Sequence, residues 1–333
     1  MKKLLLVSIF LLTILTVVKS QYIYPVSAYK SEMKGVILSN FDINNDVLYL
    51  PLGKSGLHVL NIKNLENIHE LSNYIEYEKR SREKVYGFAN EVFVKDNKAY
   101  LSYGPLGLKI LDVSDPTMPF VLGTYYRHQD VYCAELYENY AFLGYTEMGL
   151  EIIDLSDLDN IKITSRNNIR DFGVKNIQIV PPYVLISGAE SGLRIFKFKD
   201  PFSTFKQAEF PRKHLMDSKA NKILIYGSIG YVANDGEGIS VLSLGLPSYP
   251  LEIESVKTEG RATELCIDRN YLYVTSGKYI EIFDLKEPEN PIKISEYIDK
   301  EKEFVSLKVQ DNKLYALYKE GSKKYGFIVF QIE

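Results

Sequence analysis

The stretch GLKILDVSDP, residues 107–116, returns as GLEIIDLSDL at 149–158 and as YIEIFDLKEP at 279–288. Aligning the chain on the residue that opens this segment picks out Gly56, Gly107, Gly149, Gly192, Gly238, Tyr279 and Gly326, separated by 51, 42, 43, 46, 41 and 47 residues. Seven units with a mean spacing of 45 residues match the length of a four-stranded propeller blade. The apolar positions of the segment, Leu108, Ile110 and Leu111 in one unit and Ile280, Ile282 and Phe283 in another, do not alternate as a half-exposed strand would. They predict a strand covered on both faces, which radial stacking of blades provides. The expected fold is all-β, a seven-bladed β-propeller with four-stranded blades.

Within the second unit, 91–95 reads as a first strand, Asp96-Asn97 as a turn and 99–103 as a second strand. Gly104-Pro105 turns the chain again before strands at 108–113 and 120–126. Short connections carrying Asn, Gly, Asp and Pro predict hairpins. The last unit has strands at 304–309, 314–318 and 327–332 and then stops at Glu333, one strand short. The segment 22–29 is strand-like and precedes the first unit's own first strand, expected near 36–40. We expect it to supply the missing outer strand and so close the ring. Pro25 is compatible with an outermost strand, where a lost donor is tolerated.

The recurring strand resembles the LVIVD repeat family through Leu108-Lys109-Ile110-Leu111-Asp112, Leu150-Glu151-Ile152-Ile153-Asp154 and Ile280-Glu281-Ile282-Phe283-Asp284, with looser copies at 57–61 and 239–243. Lys197 and Gln331 stand where other units have Asp, Asn or Ser, so units four and seven rest on spacing and flanking strands. The resemblance implies an exported or surface-exposed bacterial or archaeal propeller with a binding or scaffolding role and no shared catalytic residues.

Residues 1–20, MKKLLLVSIFLLTILTVVKS, place two lysines before an apolar run at 4–18 and reach Val18 and Ser20 before Gln21, the pattern of a signal peptide. A run of 15 residues is short of the roughly 18–20 that cross a bilayer, which weighs against a membrane anchor. With Cys133 the first cysteine, no thiol stands at the cleavage point for lipid attachment. We therefore expect 21–333 to form a single exported propeller, periplasmic, cell-surface or secreted, with no transmembrane segment after cleavage. A net charge of −3 from 40 basic and 43 acidic residues argues against nucleic acid as a partner, since polyanion binders concentrate basic charge on one face. Two cysteines cannot make a disulfide framework, so stability must come from burial.

No catalytic fingerprint stands out. The histidines at 58, 69, 128 and 214 have no metal-ligand spacing, and the stretch 42–46 opens like a calcium loop but has Val47 at the sixth position and Gly53 at the twelfth, so it reads as a hairpin turn. Asp112, Asp154 and Asp284 read as caps of the following turns rather than a convergent carboxylate site. Cys133 and Cys266, on first strands of units three and six, read as separate small buried residues. Tyr49, Tyr100, Tyr231, Tyr273 and Tyr315 recur at second-strand positions and read as packing between blades with the hydroxyl at an edge. Neither cofactor nor metal is expected.

In a propeller the loops between successive blades gather around one mouth of the channel. Here they carry Arg127 and His128, Arg170, Lys213 and His214, and Arg261, a mildly basic set suited to an anionic group. Acidic neighbours, Asp130, Asp171 and Glu259, weigh against it as a neutralised, solvated surface. The longest insertion, 74–86, is a mixed-charge run that reads as a solvated loop or short helix on the same face. Two functions follow: a non-enzymatic binding or scaffold module recognising a protein or glycan at the cell envelope through the loop face, or an exported hydrolase or lyase with a site at the channel mouth.

Overall fold

The turns between first and second strands set the architecture. Asp96 and Asn97 both take left-handed conformations, as do Asp311 and Asn312, the backbone that matches a two-residue hairpin to the twist of its strands. Repeated hairpins of this kind build seven four-stranded antiparallel sheets. The computed structural model describes residues 21–32, 36–80, 83–127, 129–168, 173–188, 192–200, 203–210, 219–246 and 249–333. Blade two illustrates the unit: Glu91–Lys95 innermost, then Lys98–Ser102, Leu108–Asp112 and, outermost, Phe120–Tyr125.

The innermost strands touch in sequence from blade one to blade seven, and Glu303–Gln310 of blade seven returns to Asp42–Asn44 of blade one, so the ring is closed. The apolar interior is divided into seven clusters, one at each junction between neighbouring blades. The third strand serves two of them at once. Leu108 and Ile110 face blade three while Leu111 faces blade one, and all three are fully buried. This is the two-sided burial that the unalternating pattern requires.

Two features of the repeated segment have local causes. Gly107 opens the third strand at φ +80, and a Cβ there would overlap the carbonyl oxygen of Tyr125 on the fourth strand. Asp112 closes it by accepting the backbone N–H of Ser114 at 2.8 Å, and Asp154 and Asp284 do the same for Ser156 and Lys286, each at 2.8 Å. The aspartates are turn caps, and the hydroxyl and N–H of Ser114 hold the Asp112 carboxyl below the ordinary carboxylate range. Of the recurrent tyrosines, Tyr49, Tyr231 and Tyr273 are buried at the blade junctions, but the Tyr273 hydroxyl is buried rather than set at an edge. Tyr231 is fully buried and its hydroxyl donates to the carbonyl of Pro288 in the next blade at 2.7 Å.

Ile23–Glu32 lies antiparallel to Lys324–Ile332 and completes blade seven as its outer strand. Both chain ends are fastened there, with Tyr22 and Glu333 exchanging N–H to carbonyl bonds at 3.0 Å. Gly326 accommodates the close approach, since a Cβ would overlap the Tyr29 carbonyl.

Two local expectations need correction. The first strand of blade one is Asp42–Asn44, not 36–40; residues 36–41 form no strand because the chain is there travelling from the outer edge of blade seven to the axis. The insertion 74–86 is neither loop nor helix: it contains a hairpin of Tyr77–Arg80 and Glu83–Tyr86. Arg80 pins it to the loop face, donating to the carbonyl of Pro105 at 2.9 Å and lying 4.6 Å over the Tyr126 ring. Among the described residues no helix is long and apolar enough to cross a membrane. The segment 1–20 lies outside the described residues.

If the outer strand seals the ring, deleting 21–30 strips blade seven of its longest pairing. We expect a thermal midpoint lower by roughly 10 °C or more, read by circular dichroism; an unchanged midpoint would contradict the closure.

Candidate functional site

Between the apolar residues of six of the seven third strands stands a polar one, blade seven having Ile328 there, and His58, Lys109, Glu151, Ser240 and Glu281 are all buried. In blades two, three and six this residue faces the preceding blade and meets a partner from the chain just leaving it. Lys109 reaches Glu76 at 2.8 Å. Glu151 accepts from Arg127 at 3.2 Å and from the Tyr125 hydroxyl at 3.1 Å, with Arg166 at 2.7 Å and the Tyr145 hydroxyl at 2.8 Å from its own blade. Glu281 accepts the backbone N–H of Glu259 at 3.0 Å. A buried charge is tolerable only when paired and hydrogen-bonded, and these are. Burial and the adjoining Glu151 carboxylate push the Tyr125 hydroxyl up to about 12.

The carboxylates of Glu259, Glu281 and Glu296 lie within 4.8 Å of one another, close enough to hold a metal ion. Their centre belongs to Lys293, whose ammonium is 3.0, 2.9 and 2.6 Å from the three. Burial opposes the charge on Lys293, but the hydrogen-bonded carboxylates outweigh it and raise its pKa. The cluster is an internal ion pair with its cation built in.

Of the six basic residues expected at the channel mouth, Arg127 reaches inward to Glu151, whereas Arg261 is exposed between blades five and six. His128, Arg170, Lys213 and His214 lie outside the described residues.

The axis itself is lined by side chains of the innermost strands. Asn40, two residues ahead of blade one's first strand, stands with Glu91, Asn176, Lys222, Glu264 and Ser306 of the others at equivalent positions, with Cys133 in blade three turned into the core. Successive members of this ring are 51, 42, 43, 46, 42 and 42 residues apart. An innermost strand has a free edge, and its N–H groups need acceptors. The preceding blade supplies them. The side-chain oxygens of Asn40, Glu91 and Asn176 accept from the N–H groups of Val92, Ala134 and Ile223 at 3.1, 3.2 and 3.2 Å. One layer further along, Asp42 accepts from Val94 at 2.6 Å and pairs with Lys308.

A cavity of about 340 Å³ occupies this stretch of channel and continues toward the loop face between Asn40, Lys175 and Thr263. Glu91, Glu135 and Glu264 share it with Lys222, which is 3.4 Å from Glu264. Burial pushes the carboxyls up, Glu91 to about 8 and Glu135 to about 7, against the pull of Lys222. Burial disfavours charge on Lys222, yet Glu264, Glu91 and Glu135 hold it at about 12, so it stays protonated at neutral pH. Both cysteines are free, and burial raises both thiols, Cys266 to about 11, which makes them poor nucleophiles. The channel ring escaped the sequence reading because that reading aligned third strands. The same period applied to first strands would have found it.

The LVIVD repeat profile matches residues 86–126, 131–166, 217–258 and 259–299, which are blades two, three, five and six. The chain belongs to the LVIVD repeat family. Blades four and seven, whose third strands carry Lys197 and Gln331 at the capping position, fall outside the matches, as does blade one. No curated protein matches the sequence. Among solved structures, a chain from the crystal structure of the computationally designed Ika8 protein superposes with a TM-score of 0.60 at 9% identity, covering 89% of this chain and 98% of that one. A chain from the crystal structure of the mitotic checkpoint complex gives 0.69 at 12% identity, covering 91% and 94%. At such identities the likeness is one of fold.

In this LVIVD protein, Glu151→Ala leaves Arg127, Arg166 and two tyrosine hydroxyls without their acceptor. A loss of about 3–5 kcal/mol is expected in urea unfolding; a loss within experimental error would show the cluster to be dispensable. The channel carboxyls make an opposite kind of prediction. Glu91 and Glu135 are raised above the ordinary 4.5, so between about pH 4.5 and 8 the folded chain keeps protons that the unfolded chain has released. Their contribution to stability is therefore complete below that window and lost as pH rises through it. Glu91→Gln should make the thermal midpoint fall less between pH 5 and pH 8 than it does in the parent chain, and equal falls would contradict the assignment.

Proposed function

We propose that the protein is an exported, non-enzymatic binding or scaffold propeller that recognises a protein or glycan partner at the cell envelope through its loop face. The observation that carries this reading is how the polar side chains are distributed. Along the channel they are spent on the next blade: Asn40, Asp42, Glu91 and Asn176 accept backbone N–H groups across the junctions. On the loop face they are presented outward. The hairpin Tyr77–Arg80 and Glu83–Tyr86 holds Tyr77 and Tyr86, each 46% exposed, with rings 5.4 Å apart, and Ile75 beside them is 50% exposed. Rigid aromatic side chains on a pinned element suit partner recognition. Export rests on the signal-like segment 1–20.

A second reading, an exported hydrolase or lyase, draws on one specific feature. Glu91 and Glu135 titrate near neutrality beside Lys222 in the 340 Å³ channel cavity, an arrangement that suits general acid–base chemistry. The binding reading is preferred because Glu91 already serves a hydrogen bond that joins blades two and three.

Capture of a partner from envelope extract separates the two. Replacing His128, Arg170, Lys213, His214 and Arg261 together by alanine should reduce the retained partner at least about tenfold, while Glu91→Gln leaves it unchanged. Undiminished capture by the fivefold variant would dismiss these blade-connecting loops as the site, and capture abolished by Glu91→Gln alone would favour the channel.

A further inference from the structure

At four junctions the loop between a blade's second and third strands reaches the first strand of the next blade. Gly53 and Ala89 exchange backbone bonds at 3.0 and 2.9 Å, and Asp235 and Ala262 at 3.2 and 2.9 Å. The Gly104 carbonyl accepts from Val131 at 3.4 Å and the Gly277 carbonyl from Phe304 at 2.8 Å. No such bond joins blades three and four among the described residues, and the junction between blades seven and one also lacks it. Its loop, 321–323, makes no backbone hydrogen bond to 36–41 among the described residues, because no strand begins in blade one before Asp42.

A cleft of about 470 Å³ lies there at the loop-face mouth of the channel, within the range of about 300–1,000 Å³ typical of ligand clefts. Its floor is apolar, with Val36, Leu38 and Tyr325 packed in the adjoining core and Ile37 left 58% exposed. Its rim carries Lys319, Lys323 and Lys324 against one carboxylate, Glu303, which lies 3.0 Å from Lys319. Lys319 is paired with Glu303, and Lys324 lies 3.4 Å from Glu320, so the rim's excess positive charge rests on Lys323 in a chain whose net charge is −3. The main chain of 36–38 pairs with no strand among the described residues, so it retains the donors and acceptors of a free edge.

We propose that this seam is a docking groove for an extended acidic peptide segment of a protein partner. The segment adds main-chain hydrogen bonds along 36–38, sets an apolar side chain against Ile37 and brings carboxylates to Lys319 and Lys323, the strand-addition mode of recognition. Apolar floor and cationic rim together would also suit an anionic amphiphile. The unpaired main chain is what favours a peptide, which, unlike a carboxylate amphiphile, can use both its donors and its acceptors. This assignment rests on the loop-face binding reading and names the class of partner it takes.

The test titrates the purified chain with two labelled, end-blocked pentapeptides, one alternating Glu and Val and one alternating Lys and Val, read by fluorescence anisotropy at low and high salt. The acidic peptide should bind saturably, weaken with salt, and lose at least about tenfold in affinity with Lys319→Glu plus Lys323→Glu, whose side chains are exposed enough to leave folding intact. Lys257→Ala, at a side chain 74% exposed and outside the cleft lining, should leave its affinity unchanged. Equal binding of the two peptides, no saturable binding, indifference to the lysine substitutions, or displacement by decanoate without main-chain competition from a second peptide would each overturn the groove. Peptide binding is independent of any cellular partner. A saturable acidic-peptide site with no partner captured from envelope extract therefore supports the groove and defeats the broader reading, whereas capture surviving in the lysine variant sustains that reading and overturns the groove as its site.

Discussion

A strand that is apolar on both faces cannot be satisfied within its own sheet, and the structure follows from that constraint. Each blade leaves Leu or Ile side chains bare on two sides, and each neighbour covers one of them. Stacking flat sheets face to face in an open row would always leave two terminal faces wet. Closing the row into a ring removes both, which is why seven separate junction clusters replace a single central core and why the axis is left to polar residues.

Closure makes two further demands, and polar residues meet both. The free inner edge of each blade needs acceptors, which the ring of Asn, Asp and Glu side chains offers to the neighbouring strand. The junctions also need to join in order. The buried polar residue of the third strand reads the preceding blade by charge, a lysine in blade two meeting Glu76 and a glutamate in blade three meeting Arg127. Swapping such blades would bury like charges together, so these pairs discriminate between junctions as well as stabilise them. Both sets of charges are thereby committed to architecture, and that commitment shifts the search for a binding surface to the loop face.

The seam between the chain ends is where regularity breaks. Joining first and last strands in blade seven requires the chain to cross that blade on its way to the axis, and the crossing leaves 36–41 without strand partners. The same crossing that makes the ring cohesive opens a cleft beside it. Function in repeat folds commonly sits where a repeat is interrupted, because an interruption is free of the packing requirements imposed on every other unit.

The sequence by itself determined the blade count, the all-β class, the turn-capping role of Asp112, Asp154 and Asp284, and the pairing of the two chain ends. Each follows from short-range rules repeated at a fixed period: hairpin turn residues, unalternating apolar strands, and a last unit lacking one strand. Only the tertiary structure decided what the charges do. Lys109 and Glu151 are buried because the chain leaving the preceding blade, 33 and 24 residues back, supplies the counter-charge, whereas Glu281 takes a backbone N–H from Glu259 across the junction and its counter-charge from Lys293 of its own blade. Likewise the channel carboxylates are brought together from blades far apart in the chain, and the hairpin at 77–86 forms where mixed charge alone suggested a loop or helix. Periodicity is a local property and survives in one dimension; the environment of a charge is set by whatever the ring closure places beside it.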